Sequence, residues 1–149
     1  MYQRILVAVD GSKTSDRALA EAISLAKDQH ASLLVVYAVD ERGVYTGSQV
    51  IDPAPLVSSW VEAGRRILDQ SAELALKSGV RAETRLIENA DMQIADAILQ
   101  EAKDGKADLL VAGTHGRSGL THLLMGSVAE GIIRASSIPI LLVRGKASG

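Results

Sequence analysis

The stretch from Gly113 to Ser127 reads GTHGRSGLTHLLMGS and holds the four glycines Gly113, Gly116, Gly119 and Gly126. It follows an apolar run, Leu109-Leu110-Val111-Ala112, and precedes a helical pattern from Val128 to Arg134. Glycine lets a backbone turn tightly and approach a ligand closely. A helix start adds unpaired N–H groups and the positive end of a dipole. Together these suit a bound anion, phosphate above all. The alternative is an ordinary strand-to-helix turn. The stretch carries neither the Gly-Lys-Ser/Thr of a Walker A loop nor the dinucleotide Gly-x-Gly-x-x-Gly.

Other residues could act with it. Asp10 ends the apolar run Ile5-Leu6-Val7-Ala8-Val9 and is followed by Gly11-Ser12. A carboxylate there accepts hydrogen bonds from sugar hydroxyls or helps hold a divalent ion, or else bonds its own turn. Ser127 either donates to phosphate or caps the last helix. His115 either bonds a ligand or faces solvent. Lys13 and Arg117 flank the same region and either screen phosphate charge or stand solvated. No His-x-x-x-His pair or acidic cluster has ligand spacing, and Gly116-Arg117-Ser118-Gly119 is not a Gly-x-Ser-x-Gly nucleophile elbow.

These residues need a frame. Continuous apolar runs at 5–9 and 33–39 predict strands buried on both faces, hence a parallel sheet; a fourth strand is predicted at 107–112, around the apolar run 109–112, and a fifth at 139–143. The run 80–88 alternates Arg81, Glu83 and Arg85 with Ala82, Thr84 and Leu86, which suits an exposed edge strand. Helical spacing predicts a helix capped by Thr14 or Ser15 and running to Asp28. A second spans 56–78, with Trp60, Val61, Gly64, Ile67, Leu68, Ser71, Ala72 and Ala75 inward and Gly79 as its stop. A third is capped by Asn89 or Asp91, and a fourth spans 127–135. The loop 40–55 is either a functional loop or a disordered connection.

The alternation of strands and helices predicts an α/β fold, a Rossmann-like doubly wound five-stranded parallel sheet of order 3-2-1-4-5 with helices on both faces. Residues 1–149 read as a single domain. The switch point then lies between the first and fourth strands, whose carboxyl ends carry Asp10 and Gly113, and ligands bind at such points.

The spacing Gly113-x2-Gly116-x9-Gly126-Ser127, with the opening ILVAVDGS and the closing VAGTHGRSG…MGSVAEGIIR…IPILLVR, resembles the universal stress protein family in its ATP-binding branch. The resemblance covers nearly the whole chain. It implies a homodimer and bound ATP with Mg²⁺ or Mn²⁺. The implied cofactor-binding residues are Ala8, Val9, Asp10, Gly11, Ser12, Val39, Gly113, His115, Gly116, Arg117, Gly126, Ser127 and Val128. In that set Val9 and Val39 serve the adenine, Val39 through its backbone. Asp10 lies near ribose and phosphates and contacts the nucleotide-bound metal. Some family members carry a hydroxyl residue where this chain has Ala129, which leaves the phosphate contacts to Ser127 and the backbone.

Composition sets bounds. The chain has 149 residues, 47% of them hydrophobic, with net charge −2 and no cysteine; the mean hydropathy is +0.14. That composition is globular, gives no general attraction to nucleic acid or anionic membrane, and excludes disulfides and thiolate metal sites. No run approaches the roughly 20 apolar residues of a membrane helix, so a cytoplasmic protein is expected. With no Phe and one Trp, a stacking platform for single-stranded nucleic acid is not expected, and aliphatic side chains are expected to hold any adenine. Three functions compete: an ATP-binding regulatory module of stress response, a slow ATPase or phosphoryl or nucleotidyl transferase on the same site, and a nucleotide-free interaction protein. No general base or arginine finger stands out beyond Arg117.

Overall fold

The structure, a computed structural model, describes residues 1–41, 52–89, 91–115 and 126–145. The elements run β1 (Arg4–Ala8), α1 (Lys13–Gln29), β2 (Ser32–Asp40), α2 (Ala54–Lys77), β3 (Ala82–Asn89), α3 (Ile94–Asp104), β4 (Leu109–Gly113), α4 (Ser127–Ala135) and β5 (Ile140–Val143). The five strands form one parallel sheet in the order β3-β2-β1-β4-β5, as the apolar runs and the charged third strand predict.

The sheet divides the interior into two cores. On one face Ile5, Val7, Leu33, Val35, Tyr37 and Val111 meet Leu19 and Ile23 of α1 and Leu68 and Ala75 of α2. On the other, Leu6, Leu34, Val36, Leu110 and Ala112 meet Ala95 and Ile98 of α3 and Ile132 of α4. Ile5, Leu6, Val7, Leu34 and Val111 are fully buried, which is why these strands are apolar at every position rather than alternating.

Element ends depart from expectation for local reasons. Ser12 caps α1, not Thr14 or Ser15: its Oγ accepts from Ser15 N at 3.1 Å, while Ser15 Oγ accepts from Asp10 N at 3.0 Å and ties the helix to the strand end. Gln93 is the N-cap of α3, without a side-chain bond. Asn89 is consumed by pairing with Asp40, and Asp91 lies ahead of the cap position. The strand expected from Ala107 starts at Leu109, because the Asp108 carboxylate accepts from Gln3 N at 2.9 Å and Arg4 N at 3.1 Å. α2 ends before Gly79, whose φ of +82° suits glycine. The expected loop 40–55 is shorter at both ends, since β2 reaches Asp40 and α2 starts at Ala54; residues 42–51 lie outside the described residues.

Register shapes the carboxyl edge of the sheet. Ala8 at the end of β1 is level with Val36, yet β2 pairs with β3 onward to Asp40. Residues Tyr37–Asp40 therefore overhang the end of β1, and a step opens beside it. β4 on the other side stops at Gly113, level with Val143.

Candidate functional site

That step is the floor of a cleft of about 480 Å³, within the usual range of small-molecule sites. Its walls come from every layer of the fold. Ala8, Val9, Asp10 and Ser15 follow β1, and Val36–Asp40 form the overhang of β2. Ala112, Gly113, Thr114 and His115 follow β4, and Gly126, Ser127, Val128 and Ala129 open α4. Trp60 of α2 closes one side, and Ile94 and Ile98 of α3 the other.

The two ends of the cleft differ in chemistry. At one end stands the start of α4. Gly126 occupies the N-cap position with φ −63° and ψ 155° and makes no side-chain cap bond. Its own N–H donates to Thr114 O at 2.8 Å, and the first helical bond is Glu130 N to Gly126 O at 3.0 Å. The N–H groups of Ser127, Val128 and Ala129 are thus left without intrahelical partners, at the positive end of a dipole. Ser127 is the first helical residue and not the cap, so the capping alternative for its hydroxyl falls away. The start of α1 is capped by side chains instead: Ser12 Oγ accepts from Ser15 N, and Asp10 Oδ1 accepts from Ser12 N at 2.9 Å.

At the other end the surface is apolar: Val9, Val39, Tyr37 and Trp60. Asp10 and Asp40 bring carboxylates to its rim. His115 Nδ1 lies 3.0 Å from Thr114 Oγ1, and Thr114 is buried, so the imidazole is oriented by its neighbour. Among the described residues no group of three or more acidic, His or Cys side chains could hold a metal ion by itself.

Of the sequence-derived residues, the structure brings Ala8, Val9, Asp10, Val39, Gly113, His115, Gly126, Ser127 and Val128 to this one cleft. Gly11 and Ser12 are not among its lining residues; they form the turn that caps α1, with Gly11 at φ +83°. Gly116 and Arg117 lie outside the described residues. Lys13 is exposed and is not part of the lining. Gly113 is glycine for packing: a Cβ there would meet Thr14 Cγ2 at 2.7 Å and His115 O at 3.3 Å. Sequence reasoning named Ala129 only as a position without a hydroxyl, and did not place Ser15, Val36, Tyr37, Ala38, Asp40, Trp60, Ile94, Ile98, Ala112 or Thr114 in the site. Aliphatic side chains are expected around any adenine, and the apolar end of the cleft carries Trp60 and Tyr37 as well. Tyr37, Asp40 and Thr114 could have been found from their place at carboxyl ends of strands; Trp60, Ile94 and Ile98 need the packing of helices.

Comparison with known proteins agrees with this architecture. Residues 1–144 match the sequence profile of the universal stress protein family. The universal stress protein YxiE of Bacillus subtilis is 36% identical over 152 residues, covering 97% of this chain and 100% of that protein. A universal stress protein family structure from Burkholderia pseudomallei superposes with a TM-score of 0.80 at 37% identity, covering 95% of this chain and 96% of the other. A universal stress protein solved in complex with cAMP gives a TM-score of 0.69 at 30% identity, covering 96% and 97%.

Proposed function

The chain belongs to the universal stress protein family, and from that membership and its cleft we propose that it is a regulatory protein of the stress response that binds ATP at the switch point between β1 and β4. The observation that carries the proposal is the open start of α4. Backbone donors at 127–129 face a cleft whose far end is apolar. A phosphate chain suits the donors, and a base suits the apolar end. The relative solved with cAMP supports an adenine nucleotide.

The donor set fits a divalent ion carried by the nucleotide. Mg²⁺ is commonly held by one or two carboxylates and the substrate phosphates, without a protein cage, and Asp10 lines the cleft. When bound, Mg²⁺ or Mn²⁺ would neutralise phosphate charge. Asp10 would hold it or the ribose while its Oδ1 keeps the Ser12 turn. The Ser127 hydroxyl would donate to phosphate, and Val39 would meet the base through its backbone.

Assembly belongs to the same proposal. On the edge strand β5, Leu141 is 37% exposed, and Ile133 of α4 is 43% exposed. An apolar edge invites pairing, and closure by a two-fold axis is the common solution. We propose a homodimer through 139–143, located in the cytoplasm. No described helix is long and apolar enough to cross a membrane.

Titration calorimetry with ATP and Mg²⁺ tests the proposal. Saturable binding of one ATP per chain is expected, with slow or no release of phosphate. Absence of heat at about millimolar ATP, an affinity of only ~4 kcal/mol, would overturn it.

A further inference from the structure

Resting on the nucleotide reading above, we propose that Trp60 is the wall against which the base stacks, and that it makes the cleft prefer purine to pyrimidine nucleotides. The inward stripe of α2 is built from small residues where the helix lies on the sheet: Gly64, Ser71 and Ala75 are buried. At Gly64 the approach is closest. A Cβ there would stand 2.6 Å from Tyr37 Cδ1 and 2.7 Å from Leu86 Cδ1, so α2 is seated against the Tyr37 ring and its position is fixed. Trp60 precedes Gly64 by one turn and shares its face. The stripe thus ends in an indole at the carboxyl edge of the sheet, where the overhang of β2 borders the open step.

Trp60 is partly buried. It packs against the α1/α2 core and also lines the cleft. Of the surfaces near it, Val9 and Val39 offer apolar contact but no flat face, and the Tyr37 ring is buried with Gly64 of α2 lying against it. A planar side chain with only two torsions loses little freedom when a ring is laid on it. Such stacking accepts any base and is strongest for the largest π-face. The start of α4 reads phosphate and is indifferent to the base. Preference among nucleoside triphosphates therefore falls to this end of the cleft.

The chain has one tryptophan, so its emission reports on this position alone. The test is a titration of the full chain with ATP and with UTP, each with Mg²⁺, followed by calorimetry and by tryptophan fluorescence, for wild type, Trp60→Leu and Trp60→Phe. Expected results are quenching of wild-type emission by ATP with the calorimetric midpoint, and tighter binding of ATP than UTP. Trp60→Leu should weaken ATP by about tenfold and UTP by much less, and Trp60→Phe should recover most of the loss. Calorimetric ATP binding without a change in emission would overturn the inference and leave the nucleotide reading intact. So would Trp60→Leu lowering ATP and UTP affinity equally, the sign of a purely structural role. Should Trp60→Leu not fold, the wild-type quench and the Trp60→Phe ratio decide the matter. No binding of either nucleotide to wild type would overturn both inference and reading.

Discussion

The amide of Gly126 donates to the carbonyl of Thr114 at 2.8 Å. That bond joins the end of β4 to the cap of α4, so the two sides of the glycine-rich stretch meet at its base. The helix start is therefore positioned by the sheet, through backbone alone. Gly126 has φ −63° and ψ 155°, a conformation open to any residue, so on the proposed phosphate reading its value as glycine is the space it leaves over the Ser127, Val128 and Ala129 N–H groups. Gly126→Val should fold with a loss of stability of about 1 kcal/mol from poorer capping. It should weaken ATP binding by tenfold or more, as β-branched atoms cover the donors. Paired calorimetry and urea denaturation check both halves; unchanged affinity would move the phosphates elsewhere.

Gly113 and Thr14 form a second junction. A methyl at 113 would sit 2.7 Å from Thr14 Cγ2, and that γ-methyl has a stiff torsion. Gly113→Ala should destabilise by about 1–3 kcal/mol through overpacking. Thr14→Ser, which deletes that methyl, should recover part of the loss in the double variant. Simple additivity in a denaturation cycle would show that the strain is taken up by the His115 carbonyl instead.

Glu83 gives a pH signature. Its carboxylate accepts from Arg4 Nη2 at 2.7 Å. That hydrogen bond, the Arg4 charge and, more weakly, Arg85 and Arg81 hold its pKa below the ordinary value of 4.5. A carboxyl depressed on folding contributes stability that is present above its unfolded value and fades as pH falls through the folded one. The Tm difference between wild type and Glu83→Gln should therefore be greatest above pH 4.5 and shrink below it. A difference independent of pH across that window would show that the pair is not formed in solution.

The proposed homodimer rests on β5. Strand alternation alone leaves the partner-facing residue open. In the structure Leu142 packs on the α3/α4 core and Val143 lies buried in the other, while Leu141 is exposed, so Leu141 is the residue the proposed dimer would use. Leu141→Lys should shift a dimer toward monomer in light scattering at tens of micromolar, with little change in the fold of the monomer. A monomeric wild type at about that concentration would remove the premise that this edge closes on a symmetry mate.

Much of this molecule is legible in its residues because strands buried on both faces leave an unmistakable pattern. Ile5–Val9 and Leu33–Val39 contain no polar residue, and Arg81, Glu83 and Arg85 mark the edge. Ends are less legible because they depend on competition for single hydrogen bonds. Ser12, Thr14 and Ser15 are chemically near-equivalent caps, and only the bond from Asp10 N to Ser15 Oγ decides among them. The polar half of the site follows from glycine spacing. Its apolar half does not, because Trp60 and Ile98 read as ordinary core positions on helical stripes, and they reach one cleft only through the packing of α2 and α3 on opposite faces.

The two cores have a mechanical consequence. Ile23 and Ile98 pack on opposite sides of a sheet that is filled from edge to edge, so truncations at the two sites share no partner, and their costs should simply add. The cleft breaks that independence, since its lining takes Val9 and Trp60 from one side and Ile98 and Ala129 from the other. A nucleotide lying there, as proposed, would touch both halves at once. On the proposed nucleotide reading, a truncation in either core should therefore also weaken the grip on the guest, although the two truncations add in the empty protein.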